Sequence, residues 1–144
     1  MTKHVLIPVD RSPHSENAFE YVLAEMAEPT ITLLHVIDPV AVWGYGDDDS
    51  FDLDGYRREE QRRREQADQL LSEYRNRAID RGLRAETVVE LGKPSRRILE
   101  AIEEFDIDHI VMGSRGRSGI GRVLLGSVAE TVMRRSSVPV TIVR

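Results

Sequence analysis

Five short apolar runs alternate along the chain with four segments of helical periodicity. Three of the runs are continuously apolar, which is typical of strands that are buried on both faces of a sheet. The order βαβαβαβαβ, with connections long enough to cross over a sheet, predicts one α/β domain over residues 1–144 with a doubly wound parallel sheet and helices on both faces. The five predicted strands are residues 5–9, 31–37, 87–91, 110–112 and 138–143.

The ends of the predicted helices carry recognisable signals. Ser12 as N-cap and Pro13 at the first helical position begin the first helix. The second helix is expected to run from about residue 55 to residue 81 and to end at Gly82. Its first half alternates acidic with basic side chains and has almost no apolar residue, which indicates a solvated face rather than a nucleic-acid contact.

Composition narrows the functional classes. A chain of 144 residues with 40% hydrophobic content can build one core. The absence of cysteine excludes disulfides and thiol chemistry, and the net charge of -5 argues against non-specific nucleic-acid binding. The first apolar run is far too short for a signal peptide or a membrane span. We therefore expect a cytoplasmic protein with no nucleic-acid or membrane partner, and the spacing of the histidines predicts no metal site.

Glycine is concentrated where the fourth strand should pass into the fourth helix. Five of the ten glycines fall between residues 113 and 126. Three arginines lie among them: Arg115, Arg117 and Arg122. Glycine lets backbone N–H groups turn toward a ligand and removes side chains that would block its approach. Gly126 and Ser127 stand at the expected helix start, where unpaired N–H groups and the helix dipole favour an anion. The segment therefore predicts a phosphate cradle.

Three other known motifs resemble parts of this glycine-rich segment. Ser127 and Glu130 also match a capping box, S-x-x-E, which needs no ligand and is an equal alternative for that serine. A Walker A loop would need lysine where Ser127 stands, and a dinucleotide fingerprint starting at Gly119 would need glycine at Leu124. The sequence thus favours a phosphate-binding turn of another kind.

The glycines and the serine follow one spacing: G, two residues, G, nine residues, G, then S or T. Gly113, Gly116, Gly126 and Ser127 occupy its fixed positions. This pattern resembles the nucleotide-binding motif of the universal stress protein family, and the resemblance covers the whole chain. It implies a five-stranded sheet of order 3-2-1-4-5 and an ATP-binding member of that family, with ATP, AMP or ADP as ligand, with or without Mg²⁺.

The resemblance also implies which residues contact the nucleotide. The aspartate that ends the first strand would contact the nucleoside, and the glycine-rich segment would surround the phosphates. Backbone of the second and fourth strands would meet the adenine edge. The expected binding residues are Pro8, Val9, Asp10, Val36, Met112, Gly113, Arg115, Gly116, Gly126, Ser127 and Val128.

Reasoning from the residues leads to the same location. In an open parallel sheet, ligands sit beyond the carboxyl ends of the strands at the topological switch point, which for the order 3-2-1-4-5 that the resemblance implies lies between the first and fourth strands. Asp10 and Gly113 end those two strands, and the acidic stretch 38–54 is expected at the mouth of the same crevice. A second interpretation of Asp10 stays open, as an acid satisfied by backbone N–H groups at a helix start ahead of Ser12.

Three functions are compatible with these features. The first is an ATP-binding sensor or regulator of the stress response, and the second is a slow ATPase, although the segment offers no general base or acidic magnesium pair. No catalytic residue is predicted. The third is a dimeric interaction module without nucleotide.

The last strand lies at the sheet edge, where an unpaired strand can form hydrogen bonds with another chain. In the family it pairs with its counterpart, which predicts a homodimer through Val138 to Val143.

Overall fold

The computed structural model describes residues 2–39, 53–114 and 125–144 of the chain. Within these ranges, five strands and four helices follow one another in strict alternation, as predicted. In chain order they are β1 (His4–Pro8), α1 (Pro13–Glu25), β2 (Thr30–Ile37), α2 (Leu53–Asp80), β3 (Arg84–Leu91), α3 (Pro94–Glu104), β4 (His109–Gly113), α4 (Ser127–Arg135) and β5 (Val140–Val143). Most of the predicted stretch 38–54 lies outside the described residues.

All five strands are parallel and form one sheet in the order β3-β2-β1-β4-β5. The predicted strand order is therefore confirmed. β1 lies at the centre, with His4 opposite Thr30 of β2 and Val5 opposite His109 of β4. Because the strands are parallel, their carboxyl ends meet at one edge of the sheet, and the switch point lies between the ends of β1 and β4.

The helices cover the two faces of the sheet over two hydrophobic clusters. One cluster joins α1 and α2 to the sheet, and its fully buried members include Ile7, Phe19 and Leu71. The other joins α3 and α4 to the opposite face, with Leu6, Ile110 and Val132 fully buried. Successive residues of β1 point to opposite clusters, as the pleat of a doubly covered strand requires.

The predicted signals at the helix ends are confirmed. Ser12 caps α1, since its Oγ accepts a hydrogen bond from Ser15 N at 3.1 Å. Gly82 follows α2 with φ +77°, a left-handed conformation that glycine adopts at little steric cost. On the charged half of α2, Glu59 pairs with Arg63 at 3.1 Å. That helix has 28 residues, but no helix in the described part of the chain is both long and apolar enough to cross a membrane.

Candidate functional site

The chain turns sharply after β1, and the turn holds Asp10 through the first turn of α1. Asp10 Oδ1 accepts a hydrogen bond from Ser12 N at 2.7 Å, and Asp10 N donates to Ser15 Oγ at 3.0 Å. The two serines thus fix both the backbone and the carboxylate of the aspartate. The described residues give its second carboxylate oxygen no hydrogen bond, so this oxygen can accept one from a ligand hydroxyl.

The structure confirms the structural interpretation of Asp10, and its contact with a nucleoside stays a prediction. One carboxylate oxygen is satisfied by a backbone N–H at the helix start, as the structural interpretation requires. That bond also orients the second oxygen, which is the property that a ligand contact needs. The residue is half-buried at the edge of the sheet where the strand carboxyl ends meet.

His35 of β2 supports the end of β1 from the side. Its Nδ1 lies 2.7 Å from the carbonyl oxygen of Val9, and Val9 N donates to Leu34 O at 2.8 Å. A carbonyl oxygen only accepts, so Nδ1 carries the proton of this bond. The imidazole thereby fixes the residue that precedes Asp10.

The end of β4 lies directly against the start of α1. A Cβ atom built on Gly113 would lie 2.7 Å from both the carbonyl carbon and the Cβ of His14. Only glycine allows this approach, so its place in the motif has a packing cause as well as the predicted ligand role. The next residue, Ser114, donates its N–H to Val143 O at 2.8 Å. The ends of β4 and β5 and the start of α1 are thereby joined.

A hydrogen bond closes the glycine-rich segment at its base. Gly126 N donates to Ser114 O at 2.7 Å. Residues 115–124, which include the predicted binding residues Arg115 and Gly116, lie outside the described part of the chain. The bond shows that α4 begins beside the end of β4. It also occupies the amide of Gly126, so that N–H is not among the donors that could meet a phosphate.

The N-terminus of α4 has no side-chain cap. Gly126 is the N-cap, and the first helical bond is donated by Glu130 N to Gly126 O at 2.9 Å. The N–H groups of Ser127, Val128 and Ala129 find no acceptor among the described residues, as expected for the first turn of a helix. Their partial positive charge and the helix dipole favour an anion at this position.

The capping-box interpretation of Ser127 is wrong. The box needs Ser127 as N-cap and a reaching glutamate, but Gly126 takes that position and Ser127 is the first residue of the helix. The Glu130 carboxylate lies 3.8 Å from Arg134 Nη1 instead. The physical reason is the bond between Ser114 and Gly126, which holds Gly126 in an extended conformation with φ -66° and ψ 157°.

A recess of about 280 Å³ lies between α1 and α2, with Asp10 among its lining residues. Tyr74 and Arg77 of α2 face Glu16 of α1 across it. The hydrogen bond from Arg77 lowers the pKa of Glu16, and burial, followed by a hydrogen bond to Glu16, raises the pKa of Tyr74. No residue of β4 or α4 lines this recess, so we do not assign it to the predicted nucleotide site.

Among the described residues, no group of three His, Asp or Glu side chains is placed to hold a metal ion.

Comparison with known proteins identifies the family. The model of the Universal stress protein family matches residues 1–144. This chain belongs to the universal stress protein family.

Individual family members are similar to this chain over almost its whole length. Universal stress protein MJ0531 of Methanocaldococcus jannaschii is 29% identical over 144 residues, which are 99% of this chain and 82% of that protein. The structure of MJ0577 from the same organism has a TM-score of 0.83 at 28% identity, with 99% of this chain and 96% of that chain covered. An Arabidopsis thaliana family protein solved with AMP bound has a TM-score of 0.69, with 98% of this chain and 90% of that chain covered. Its identity is 19%, so it supports the fold alone.

In this universal stress protein, nine of the eleven predicted binding residues are described, and all nine lie at the carboxyl edge of the sheet or at the start of α4. Pro8, Val9 and Asp10 end β1 or follow it, and Met112 and Gly113 end β4. The other four are Val36 near the end of β2, the N-cap Gly126, and Ser127 and Val128 in the first turn of α4. The side chains of Val36, Met112 and Val128 pack in the cluster under α3 and α4, so these residues have mainly backbone to offer a ligand.

Proposed function

We propose that this universal stress protein binds an adenine nucleotide, foremost ATP, between the ends of β1 and β4. The observation that carries the proposal is the uncapped start of α4, joined to the end of β4 by the bond from Gly126 N to Ser114 O. The N–H groups of Ser127, Val128 and Ala129 in the first turn have no acceptor among the described residues, and Asp10 follows β1, which lies next to β4 in the sheet. In this proposal the helix start receives the phosphates and Asp10 receives a hydroxyl of the nucleoside.

The start of α4 suits the phosphates of a nucleotide, and Asp10 suits its nucleoside half. The amides of Ser127, Val128 and Ala129 would donate to phosphate oxygens, each charge-assisted bond contributing about 1.5–3 kcal/mol. The second carboxylate oxygen of Asp10 would accept from a ribose hydroxyl. Arg115 and Gly116 complete the phosphate side in this proposal, on the strength of the motif spacing. Mg²⁺ would be held by the phosphates, because the described residues offer no cluster of metal ligands.

Relatives support the class of ligand. The Arabidopsis thaliana protein with AMP bound shares the fold of this chain, and the family motif here keeps every fixed glycine and the serine. Membership of the family supports a role for the bound nucleotide as the signal of a sensor or regulator in the stress response. A cytoplasmic location is part of the same proposal.

The direct experiment is to denature the purified protein and identify any released nucleotide by chromatography, followed by calorimetry of the emptied protein with ATP. Release of ATP, ADP or AMP, or saturable binding of added ATP, supports the proposal. Absence of both contradicts it and favours an interaction module without nucleotide. Steady phosphate release from ATP, abolished in Ser127→Ala, would instead favour the slow ATPase.

The same proposal includes a homodimer through β5. This strand pairs with β4 on one side and forms the edge of the sheet on the other. Its four residues are all half-buried, so a second copy could cover them further. The strand begins at Val140 rather than Val138, and the carbonyl of Pro139 already accepts from Ile110 N at 3.0 Å. Sedimentation should show twice the 16.4 kDa mass of one chain at micromolar concentration, and a monomer would contradict the dimer.

A further inference from the structure

Two pairs of histidine and threonine join neighbouring strands of the sheet. His4 Nε2 of β1 lies 2.7 Å from Thr32 Oγ1 of β2, and His109 Nε2 of β4 lies 2.7 Å from Thr141 Oγ1 of β5. The pairs differ in the second nitrogen of the ring. His109 Nδ1 is buried and has no hydrogen-bond partner among the described residues, whereas His4 Nδ1 is not such an atom. The surroundings of His109 therefore suit only one of its protonation states.

The neutral form of His109 suits these surroundings and the charged form does not. A neutral imidazole has one N–H, which can lie on Nε2 toward Thr141 and leave a lone pair on Nδ1. Protonation adds an N–H at Nδ1, and a buried charged donor without an acceptor is strongly disfavoured. Burial, followed by the charge of Lys3, accordingly lowers the pKa of His109. The ring therefore takes up a proton more readily outside this position than in it.

The charged groups around His109 do not offset this penalty. Lys3, just before β1, has the same sign as a protonated ring. The carboxylate of Asp108 accepts a hydrogen bond from His4 N at 2.9 Å. The glutamates of α1, which packs over β4, are bonded to Arg77 or exposed, and β5 contains no charged residue. Within the described ranges, a protonated His109 thus has no carboxylate partner.

β5 is the neighbour of His109 that can move at least cost. It has four residues, all half-buried, and in the described sheet it pairs with β4 alone. On the other side of β4 lies the central strand β1, where Val5 is opposite His109 and fully buried. Separating β5 from β4 breaks the contact with Thr141 and gives the ring access to water while the centre of the sheet stays in place. Elements with few buried contacts are those that open locally.

We propose that His109 is an acid-sensitive latch for β5: the neutral ring holds the edge strand through Thr141, and the protonated ring releases it. The latch does not depend on nucleotide binding. Because a released imidazole has a pKa of about 6.5, lowering the pH from 7.5 to 5.0 can raise the open population by at most about 30-fold. That limit is reached if the latched ring stays neutral throughout.

Hydrogen exchange at two amides tests the latch. Ile110 N donates to Pro139 O at 3.0 Å and Ser114 N donates to Val143 O at 2.8 Å, so both amides report the contact of β4 with the last strand and the residue before it. Their protection, corrected for the intrinsic pH dependence of exchange, should fall about five- to 30-fold in wild-type protein between pH 7.5 and 5.0.

The controls separate the latch from a general effect of acid. Val9 N donates to Leu34 O between β1 and β2, and its protection should change by less than about twofold. His109→Gln keeps a hydrogen-bonding group and cannot be protonated, so the fall at Ile110 should disappear. His4→Gln makes the same change in the other pair and should leave the fall intact. The comparison of Val9 with Ile110 in wild type needs no variant, so it decides if His109→Gln fails to fold.

The homodimer proposed through β5 gives a second readout, the one part of the test that rests on the proposed function. Its dissociation constant in sedimentation should rise at least about fivefold between pH 7.5 and 5.0 in wild type, and less than about twofold in His109→Gln. A monomer at pH 7.5 refutes the homodimer and leaves hydrogen exchange to decide about His109. Equal falls in protection at Ile110, Ser114 and Val9 would show that acid acts on the whole fold and would overturn the inference, as would an undiminished fall in His109→Gln.

Discussion

Replacing Ser127 with proline should remove one of the proposed phosphate donors and leave the helix intact. Ser127 is the first residue of α4, a position where proline is favoured because its N–H has no intrahelical acceptor. Gly126 before it has φ -66° and ψ 157°, the extended conformation that a residue preceding proline adopts. The free energy of unfolding should therefore stay equal or rise by up to about 1 kcal/mol.

The effect on ATP binding follows from the single bond that is lost. One charge-assisted hydrogen bond from an N–H to a phosphate contributes about 1.5–3 kcal/mol, so the dissociation constant should rise about 10- to 150-fold at 25 °C. Ser127→Ala is the matched control because it removes the exposed hydroxyl and keeps the N–H. Its dissociation constant should change by less than about threefold, since the hydroxyl caps nothing.

Calorimetry with ATP and urea unfolding on the same three proteins make the comparison. Equal affinities for Ser127→Pro and Ser127→Ala, with both variants as stable as wild type, would refute the assignment of the α4 amides to phosphate. A large loss of stability in Ser127→Pro would refute the description of its N–H as lacking an acceptor in the described part of the chain.

Three further outcomes follow from packing, capping and burial. Gly113→Ala places a Cβ 2.7 Å from His14 atoms. It should lower the free energy of unfolding in urea titrations by about 1–3 kcal/mol and weaken ATP binding, because α1 must move. Wild-type stability of this variant would contradict the prediction. Ser12→Ala removes the α1 cap and should cost about 1 kcal/mol, whereas no loss would show that the cap is dispensable. Burial, followed by the charge of Lys3, lowers the pKa of His109 from its usual 6.5, so the unfolded chain takes up the proton first as the solution is acidified. Stability should therefore fall below about pH 6.5, and urea titrations of His109→Gln should show a smaller fall; equal pH profiles would contradict this.

The sequence predicts the layout of this fold well because the determining signals are local. Continuous apolar runs identify buried strands, Ser12 and Pro13 identify a helix start, and Gly82 identifies a helix end. Strand order came from the family resemblance rather than from periodicity, since the same alternation fits several doubly wound orders.

The candidate site is less predictable where it depends on contacts between distant residues. Glu16 and Arg77 are 61 positions apart, and their bond exists only because α2 docks beside α1. The contact of His35 with Val9 depends on the register between β1 and β2, which no local pattern states.

The helix start at Gly126 shows how such a contact overrides local preference. Serine is the better N-cap by propensity, and Ser127 has a glutamate at the right distance in sequence for a capping box. The hydrogen bond from Gly126 N to Ser114 O holds the chain extended one residue earlier and moves the cap to the glycine. Predicting this needs the position of β4 relative to α4.

The central claim, that main-chain amides at the start of α4 bind the phosphates beside Asp10, is tested most directly by amide resonances of ¹⁵N-labelled protein during titration with ATP. The resonances of Ser127, Val128 and Ala129 should shift progressively and saturate with the calorimetric dissociation constant, and adenosine, which lacks phosphate, should move them far less. If ATP binds while these three resonances stay in place, the phosphates lie elsewhere and the claim is contradicted.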